Sequence, residues 1–568
     1  MSMSIRKSAL LGAALLSPAM AALAKQKPNI IFFLIDDYGW VDSSVAYGEE
    51  VYPGNLHFHT PNMERLAQKG VILTSAYACP VSTPTRTAMM SGMNAAHTGI
   101  TNWTSALRDI PSDGVNGGFF TDQQYDAPDA DPLARPDWNI NGLCPDGPGA
   151  EDIAGVQVAT PMVRHLRDAG YYTIHVGKAH WAAAGTPGAS PYNMGFMVNV
   201  AGSVNGMPRS YYGTENFGNT SEKWNYMAVQ NLAEYYGQDI FLTEAITREA
   251  LKTLDEPVRR GQPFYLYMAH YATHTPISKD PRFFDRYKKE MGLDAGQSKF
   301  SSMVEGVDKS LGDLMDYLEA HHIADNTIIV FMSDNGGNAN ITAKGGIPHQ
   351  QNAPLREGKG SCYQGGIRVP MMVYWPGKTA AGTRINTPVL PEDFYPSILE
   401  MAGVTAFEHV QPLDGQSFVP LVTKGSQYVA KAMKNGQIGS QKEANAFEVP
   451  QSVSGLDPER EVVMHYPHQW KSEYKEEIDF MSTIIVGDWK LVYIMMNTLP
   501  GKHVAASGPF ELYNIREDVG EKRNLAAEHP EKVAELARRL GARLREWNAP
   551  MPVVRATGKP VAWPDEIL

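Results

Sequence analysis

The sequence predicts an α/β fold: a mostly parallel sheet with helices on both faces, followed by a smaller α+β unit. Three observations carry this prediction. Short apolar runs of β character alternate with helical patterns through residue 423. Polar and charged residues gather directly after four of those runs. The tail breaks the alternation, with β-rich segments in succession and one amphipathic helix.

Asn29–Ile35 (NIIFFLI) is almost continuously apolar, the pattern of a strand buried on both faces. Thr60-Pro61 then opens a helix through Lys69, with Thr as N-cap and Pro at the first helical position, where its missing N–H is harmless. Thr160-Pro161 repeats that signal for a helix ending at Gly170, a residue suited to a left-handed cap. Tyr172–Val176, Phe264–Ala269, Thr327–Ser333 and Val369–Trp375 supply further strands. In the tail, β-rich runs flank Gly487-Asp488-Trp489 over Ile484–Met495, and Phe510–Asn514 is another strand. Pro530–Trp547 is a helix with Val533, Leu536, Leu540, Leu544 and Trp547 on one face. The polar, weakly patterned stretch 424–454 reads as a linker or insertion between a main unit over 25–423 and a C-terminal unit over 455–568. A Gly/Pro/Asp-rich stretch over 109–154 reads as a second insertion, and long loops of this kind are often functional.

Composition narrows the classes of function. A chain of 568 residues that is 43% hydrophobic and 20% charged is neither disordered nor fibrous. Its formal charge of −12 argues against nucleic acid, which requires a basic face. It also gives no long-range attraction to an anion, so an anionic substrate needs a local cluster of cations. Arg6 and Lys7, the apolar or small stretch Ala9–Ala22 and the small-x-small Ala22-Leu23-Ala24 predict a cleaved secretory leader over residues 1–24. That stretch is too short, and too broken by Ser17 and Pro18, for a membrane span, and no later segment resembles one. The expected location is the periplasm or the cell exterior, reached through the export machinery. Cys79, Cys144 and Cys362 are too few for a disulfide framework; at most one bridge is possible, and buried free thiols are the expectation.

Asp36-Asp37, Gly177-Lys178-Ala179-His180, His270 with His274, and Asp334-Asn335-Gly336-Gly337 each follow an apolar run. Ligands of open parallel sheets bind at the C-terminal strand ends, so these groups are expected on one rim. Asp36, Asp37, Asp334 and Asn335 are hard oxygen donors, suited to Ca2+ or Mg2+ rather than Zn2+. A single Asp at a strand end is ordinarily a cap or turn residue, whereas two adjacent carboxylates after a buried strand are costly without a cation. His270 is expected to be a packed, hydrogen-bonded histidine.

The segment Ser82-Thr83-Pro84-Thr85-Arg86-Thr87-Ala88-Met89-Met90-Ser91-Gly92 resembles the signature of type I sulfatases: Cys or Ser, any residue, Pro, Ser/Thr/Ala, Arg, two intervening residues, two apolar residues, a small residue and Gly. The resemblance continues in the family's order through Pro28–Gly39, Gly170–His180, His274-Thr275-Pro276, Ser333–Gly337, Leu355–Pro370 with Lys359, and Glu511–Leu525. It implies an alkaline-phosphatase-like fold: a large mixed sheet sandwiched by helices, with a smaller α+β C-terminal subdomain. It also implies that Ser82 is oxidised to formylglycine by a radical maturase, a transient partner typical of bacteria. Two departures stand out. The modified position is Ser rather than Cys, and Trp181-Ala182 follow His180 where the family often has Leu-Gly.

Roles follow from the same resemblance. Serine is a weak nucleophile without an adjacent base, whereas an aldehyde at position 82 hydrates to a gem-diol whose hydroxyl attacks sulfur. Asp36, Asp37, Asp334 and Asn335, with the side chain at position 82, would hold Ca2+, Mg2+ being the lesser candidate; the metal would act as Lewis acid and template. Arg86 and Lys178 would stabilise the diol, and Lys178 and Lys359 the sulfate oxygens. His274 would protonate the leaving oxygen, and His180 would take a proton to expel sulfate. Export suits a sulfated glycan as substrate, and Tyr211-Tyr212-Gly213-Thr214 and His465-Tyr466-Pro467-His468-Gln469-Trp470 carry aromatic and polar groups fit for a sugar site. His465 and His468 are the substrate-side candidates. Three alternatives compete: a phosphodiesterase or phosphonate monoester hydrolase on the same fold, a glycan-binding protein with Ser82 unmodified, and a serine hydrolase, which would lack the usual G-x-S-x-G elbow.

Overall fold

The computed structural model describes residues 27–112, 132–219, 225–338, 351–469, 479–499 and 508–568. The expected leader and Trp470 lie outside them. The frame is an eight-stranded sheet of β1 (Asn29–Ile35), β2 (Val71–Leu73), β3 (Tyr172–Gly177), β4 (Val198–Val200), β5 (Phe264–Ala269), β6 (Thr327–Ser333), β7 (Met371–Tyr374) and β8 (Thr383–Ile385). Their order is β8-β2-β7-β6-β1-β5-β3-β4. β1 lies between β5 and β6, parallel to both, and all seven of its residues are buried. β7 runs antiparallel to β6 and β2, which makes the sheet mixed. The run expected over Val369–Trp375 contracts to Met371–Tyr374; Pro370 has no N–H to give a ladder, so it stands outside the strand.

Alternation of side chains along β1 divides the interior into two layers. Ile30, Phe32 and Leu34 pack with Met89, Met90, Leu166 and Ile398. Ile31, Phe33 and Ile35 pack on the other face with Met63, Ile246, Leu254, Val307 and Leu311. The helices Ser82–Ser91, Met162–Asp168 and Phe394–Met401 thus cover one face, and Pro61–Lys69, Leu242–Arg260 and Ala295–Ala320 the other. The Thr160-Pro161 helix starts one residue later than expected, with Pro161 itself as N-cap.

Register brings the strand ends level. Ile35 pairs with Ser333, and both Leu34 and Gly177 pair with Ala269. The residues that follow, Asp36, Asp334, Lys178 and His270, therefore leave the sheet along one edge.

The stretch 424–454, expected as a linker or insertion, contains the helices Ser426–Lys434, Gln441–Ala446 and Gln451–Ser454. Val429, Ala432, Ile438, Ala444 and Val449 are buried in the same layer as Ile398, so this stretch is docked on the core rather than spanning free of it. Its apolar residues are few and widely spaced, too sparse for a periodic signal. Beyond residue 109, Gly142–Pro145 pairs with Val156–Ala159, and Leu133–Ala134 pairs with Val553–Val554 from the tail.

The C-terminal part forms an antiparallel sheet, β9 (Val462–Tyr466), β10 (Met481–Val486), β11 (Trp489–Ile494) and β12 (Phe510–Asn514), in that order. Pro530–Glu546 covers one face, with Leu536, Leu540 and Leu544 against Ile484, Leu491 and Leu512. The opposite face, with Ile485, Val492 and Tyr513, packs on Tyr77, Val81, Tyr363 and Ile367 of the main unit. Among the described residues no helix is long and apolar enough to cross a membrane. All three cysteines are buried free thiols, and burial pushes the Cys362 thiol up to about 12.

Candidate active site

Ser82 is the first residue of the Ser82–Ser91 helix, where free backbone N–H groups and the helix dipole favour negative charge. The eleven-residue motif divides by function along this helix. Thr85 accepts a hydrogen bond from the Cys79 amide at 2.8 Å and fixes the entry. Met89 and Met90 bury in the core. Gly92 closes the helix in the left-handed region at φ 72°, where a Cβ would also meet Leu413 at 2.8 Å and Tyr395 at 3.0 Å.

Around Ser82 the strand ends supply three carboxylates and three cations, all buried. Lys178 donates from Nζ to Asp36 Oδ2 at 2.7 Å and to Ser82 Oγ at 3.1 Å. Lys359 donates to Asp37 Oδ1 at 2.6 Å. Arg86 donates from Nε to Asp334 Oδ2 at 2.9 Å and from Nη1 to the Lys178 carbonyl at 3.1 Å. Pairing is what makes this burial tolerable, since an isolated buried charge costs several kcal/mol or about that order. Burial raises the Asp334 carboxyl to about 6, with Asp36 adding and Arg86 opposing. Burial also raises Asp36, against the pull of Lys178. Asp37 goes the other way: burial raises it, but Lys359, His274 and Lys178 outweigh that and hold it below the usual carboxylate range.

Three acceptor oxygens in this cluster, Asp36 Oδ1, Asp37 Oδ2 and Asn335 Oδ1, are buried with no hydrogen-bond partner. The Asn335 orientation is set by its amide, which donates to Asp37 Oδ1 at 2.8 Å and to the Gly336 carbonyl at 2.9 Å. Buried polar atoms are normally satisfied, so a group of orphaned hard oxygens fits a divalent cation of the Ca2+ or Mg2+ type. Asp36, Asp37 and His274 bring ligand atoms within 4.8 Å of one another. Asp334 is adjacent, its Oδ1 accepting the Asp37 amide at 3.3 Å. Asp37 itself has φ 56°, a left-handed conformation uncommon outside glycine and typical of sites where geometry is over-determined.

The two histidines differ in tautomer. His180 Nε2 lies 3.1 Å from the Thr104 carbonyl, which can only accept, so Nε2 carries the hydrogen. Nδ1 is then the basic nitrogen, 3.2 Å from Ser82 Oγ. Burial, reinforced by Lys178, pushes His180 far below its ordinary value, so it is neutral and able to accept a proton. In His274, Nδ1 donates to the Thr275 carbonyl at 3.0 Å, and Nε2 is 3.7 Å from Asp37 Oδ2. Burial and then Lys359 push His274 down to about 3. An anionic group beside Nε2 would act in the opposite direction and favour the imidazolium.

The structure thus brings together Ser82, Arg86, Lys178, His180, His274 and Lys359 with Asp36, Asp37, Asp334 and Asn335. Arg86 pairs with Asp334 and donates to the Lys178 carbonyl, which holds the neighbours of Ser82. Several substrate-side expectations are corrected. His465 is not offered to a ligand: Nδ1 meets Ser482 Oγ at 2.7 Å, Nε2 meets the Pro550 carbonyl at 2.9 Å, and the residue is 3% exposed. His468 is 1% exposed, bonds Thr101 Oγ1 through Nε2 at 2.8 Å and packs against Trp138 and Tyr466. His468 sits at the seam between the C-terminal sheet and the main unit, whereas His465, alternating with Met464 and Tyr466, lies on the opposite, helix-covered face; a sequence window of polar and aromatic residues does not distinguish either place from a cleft. Tyr211 is buried, and its hydroxyl donates to the Tyr271 and His274 carbonyls at 2.8 Å each, so it braces the His274 loop. His270 is packed as expected, with Nε2 2.9 Å from Ser310 Oγ.

Sequence reasoning missed the Thr104 carbonyl, which selects the His180 tautomer, because a backbone acceptor leaves no residue-type signal. It also missed Thr273, whose hydroxyl donates to the Asp36 and Asp37 carbonyls at 3.2 Å each and whose amide donates to the Asp36 carbonyl at 2.7 Å. Only its place between His270 and His274 could have marked it.

An α/β scaffold whose parallel strands end in paired acids and cations around a hydroxyl defines an enzyme that acts on anionic esters. Comparison with known proteins makes the class specific. The sulfatase family model matches residues 28–127 and 146–404, and the chain belongs to that family and is a sulfuric ester hydrolase. A sulfatase of Formosa agariphila is 27% identical, over 97% of this chain and 95% of that one. Human N-acetylgalactosamine-6-sulfatase is 27% identical over 71% of this chain and 67% of its own. The crystal structure of Ps i-CgsB matches at 25% identity and a TM-score of 0.62, covering 91% of this chain and 93% of that one. The fold is the alkaline-phosphatase-like sandwich that the motif implied.

Proposed function

We propose that this protein hydrolyses sulfate monoesters on a sulfated carbohydrate, with position 82, matured from Ser to formylglycine, as the nucleophile-bearing residue and Ca2+ held by Asp36, Asp37, Asp334 and Asn335. The observation that carries the reading is the setting of Ser82 Oγ, flanked by Lys178 Nζ at 3.1 Å and the basic His180 Nδ1 at 3.2 Å. The matured side chain would supply a hydrated aldehyde as nucleophile. The cation would supply Lewis-acid polarisation of the ester.

The chain's own residues account for the rest. Asp36, Asp37 and Asp334 balance Arg86, Lys178 and Lys359, so a divalent cation leaves the pocket positive and fit for an anionic ester despite the overall charge of −12. Lys178 and Lys359 hold the sulfate oxygens, where charge is stabilised during transfer. Neutral His180 receives a proton from the oxygen at position 82 through Nδ1. His274, kept protonated by the bound anion, gives a proton from Nε2 to the leaving sugar oxygen. Each such step is worth about 10²–10⁴-fold. A carbohydrate substrate is supported by the relative named N-acetylgalactosamine-6-sulfatase and by the predicted leader.

Sulfate release from defined sulfated sugars by protein purified with its maturase tests the reading. Ser82→Ala is expected to abolish release in a protein that melts like the native one, and intact mass is expected to show the loss of two hydrogens at Ser82. Substantial turnover by folded Ser82→Ala refutes the mechanism.

A further inference from the structure

Lys359 sits on a loop held from two sides. Towards the rim, the Lys359 amide donates to the Gly337 carbonyl at 3.1 Å and the Gly360 amide to the Pro80 carbonyl at 2.8 Å. On the far side the loop is gripped by the C-terminal sheet, through polar groups. Lys490 and Tyr513 are cross-strand partners, as are Val492 and Glu511, so Lys490, Glu511 and Tyr513 lie on the sheet face that meets the main unit.

From that face Lys490 Nζ donates to the Cys362 carbonyl at 2.8 Å and to Glu521 Oε1 at 2.5 Å. Glu521 Oε2 accepts the Gln364 amide at 2.6 Å. Glu511 Oε2 accepts the hydroxyls of Tyr363 at 2.7 Å and Tyr513 at 2.8 Å. The Arg356 guanidinium donates to Tyr513 at 2.8 Å and stacks on the Tyr363 ring at 3.7 Å. Residues 356 and 362–364 are therefore fixed on both sides of Lys359.

Lys490 and Glu521 are almost wholly buried, at 0% and 2% exposure. A buried ion pair adds little net stability over an apolar pair of the same size. What it supplies here is direction, because each member bonds one backbone atom of the loop. A local shift of about 1 Å at a reacting group can cost about 10²-fold.

We propose that Lys490, Glu521 and Glu511 are positioning residues for Lys359: the C-terminal sheet fixes the loop that carries its ammonium to Asp37 and to the anionic group of the substrate. The inference rests on the reading of Lys359 as a sulfate-binding cation. A double-mutant cycle between Lys490→Met/Glu521→Gln and Lys359→Ala tests it, with Tyr363→Phe as a second, milder variant against the same background. Affinity for inorganic sulfate, measured by calorimetry on the full chain, makes the readout independent of turnover, and thermal melting verifies that each variant is folded. The expected result is sulfate binding about tenfold weaker or more in Lys490→Met/Glu521→Gln and in Lys359→Ala, with less than about threefold further loss on combining them. Turnover is expected to show a raised KM with a smaller change in kcat. Independent, multiplicative losses, or unchanged sulfate affinity in folded Lys490→Met/Glu521→Gln and Tyr363→Phe, overturn the positioning role. Unchanged affinity in Lys359→Ala instead overturns the reading of Lys359 itself, and the inference with it.

Discussion

Gly206 presses directly on His180, the proposed base. A Cβ built at this position would lie 2.4 Å from His180 Cε1, 2.8 Å from Nε2 and 2.9 Å from Nδ1. Its backbone is not in the left-handed region, so the imidazole and not the turn excludes a side chain. Gly206→Ala therefore forces the ring to retreat by about 1 Å to reach ordinary contact distance. The ring's two hydrogen bonds, 3.1 Å to the Thr104 carbonyl and 3.2 Å to Ser82, have only a few tenths of an ångström to spare, and at least one breaks. With acid–base help worth about 10²–10⁴-fold, kcat is expected to fall about 10²-fold while KM changes little. Overpacking of this kind costs about 1–3 kcal/mol of stability, so the variant still folds. Sulfate release at saturating substrate, with a thermal melt on the same sample, checks this. A folded variant whose kcat stays within about threefold of native refutes the reasoning.

Tyr211→Phe leaves the Tyr271 and His274 carbonyls without their shared hydroxyl, at a cost of about 1–3 kcal/mol, and is expected to lower kcat about tenfold by loosening His274, the proposed acid; a denaturation curve beside steady-state kinetics reads both effects, and native kcat with intact Tm contradicts it. Glu392 gives a pH prediction with a definite sign. Burial, with Asp393 adding and Asn94 opposing, raises its carboxyl from 4.5 to about 7, so the folded state binds the proton more tightly than the unfolded state. Stability from this group is full below the unfolded value and is lost as pH rises to about 7, by up to about 3 kcal/mol. Glu392→Gln, uncharged throughout, is expected to flatten that decline in urea unfolding between about pH 5 and pH 8, and an unchanged pH slope excludes Glu392 as its source.

Much of this site is local, and what is local is legible. β1 announces itself because a strand buried on both faces must be apolar at every position, and Asp36-Asp37 stand out because such a strand ought not to end in two charges. The Ser82–Gly92 motif is legible for the same reason: Ser82, the helix it opens and the left-handed cap all fall within one turn-and-helix unit. The amphipathic face of Pro530–Glu546 survives almost unchanged from sequence to structure.

By itself the sequence determined five of the eight strands of the main sheet, the chemical types gathered at their ends and the motif that opens the Ser82–Ser91 helix; Val71–Leu73, Val198–Val200 and Thr383–Ile385, three residues each, are too short to show a pattern. Tertiary structure decided the antiparallel entry of β7, the docking of 424–454, the burial of His465 and His468, the tautomer of His180 and the grip on the Lys359 loop. The physical reason is separation along the chain. Ser82 and His180 lie 98 residues apart, Asp37 and Lys359 322 apart, and Lys490 and Cys362 128 apart. Contacts of that reach depend on register, packing and backbone acceptors, which residue identity alone does not encode.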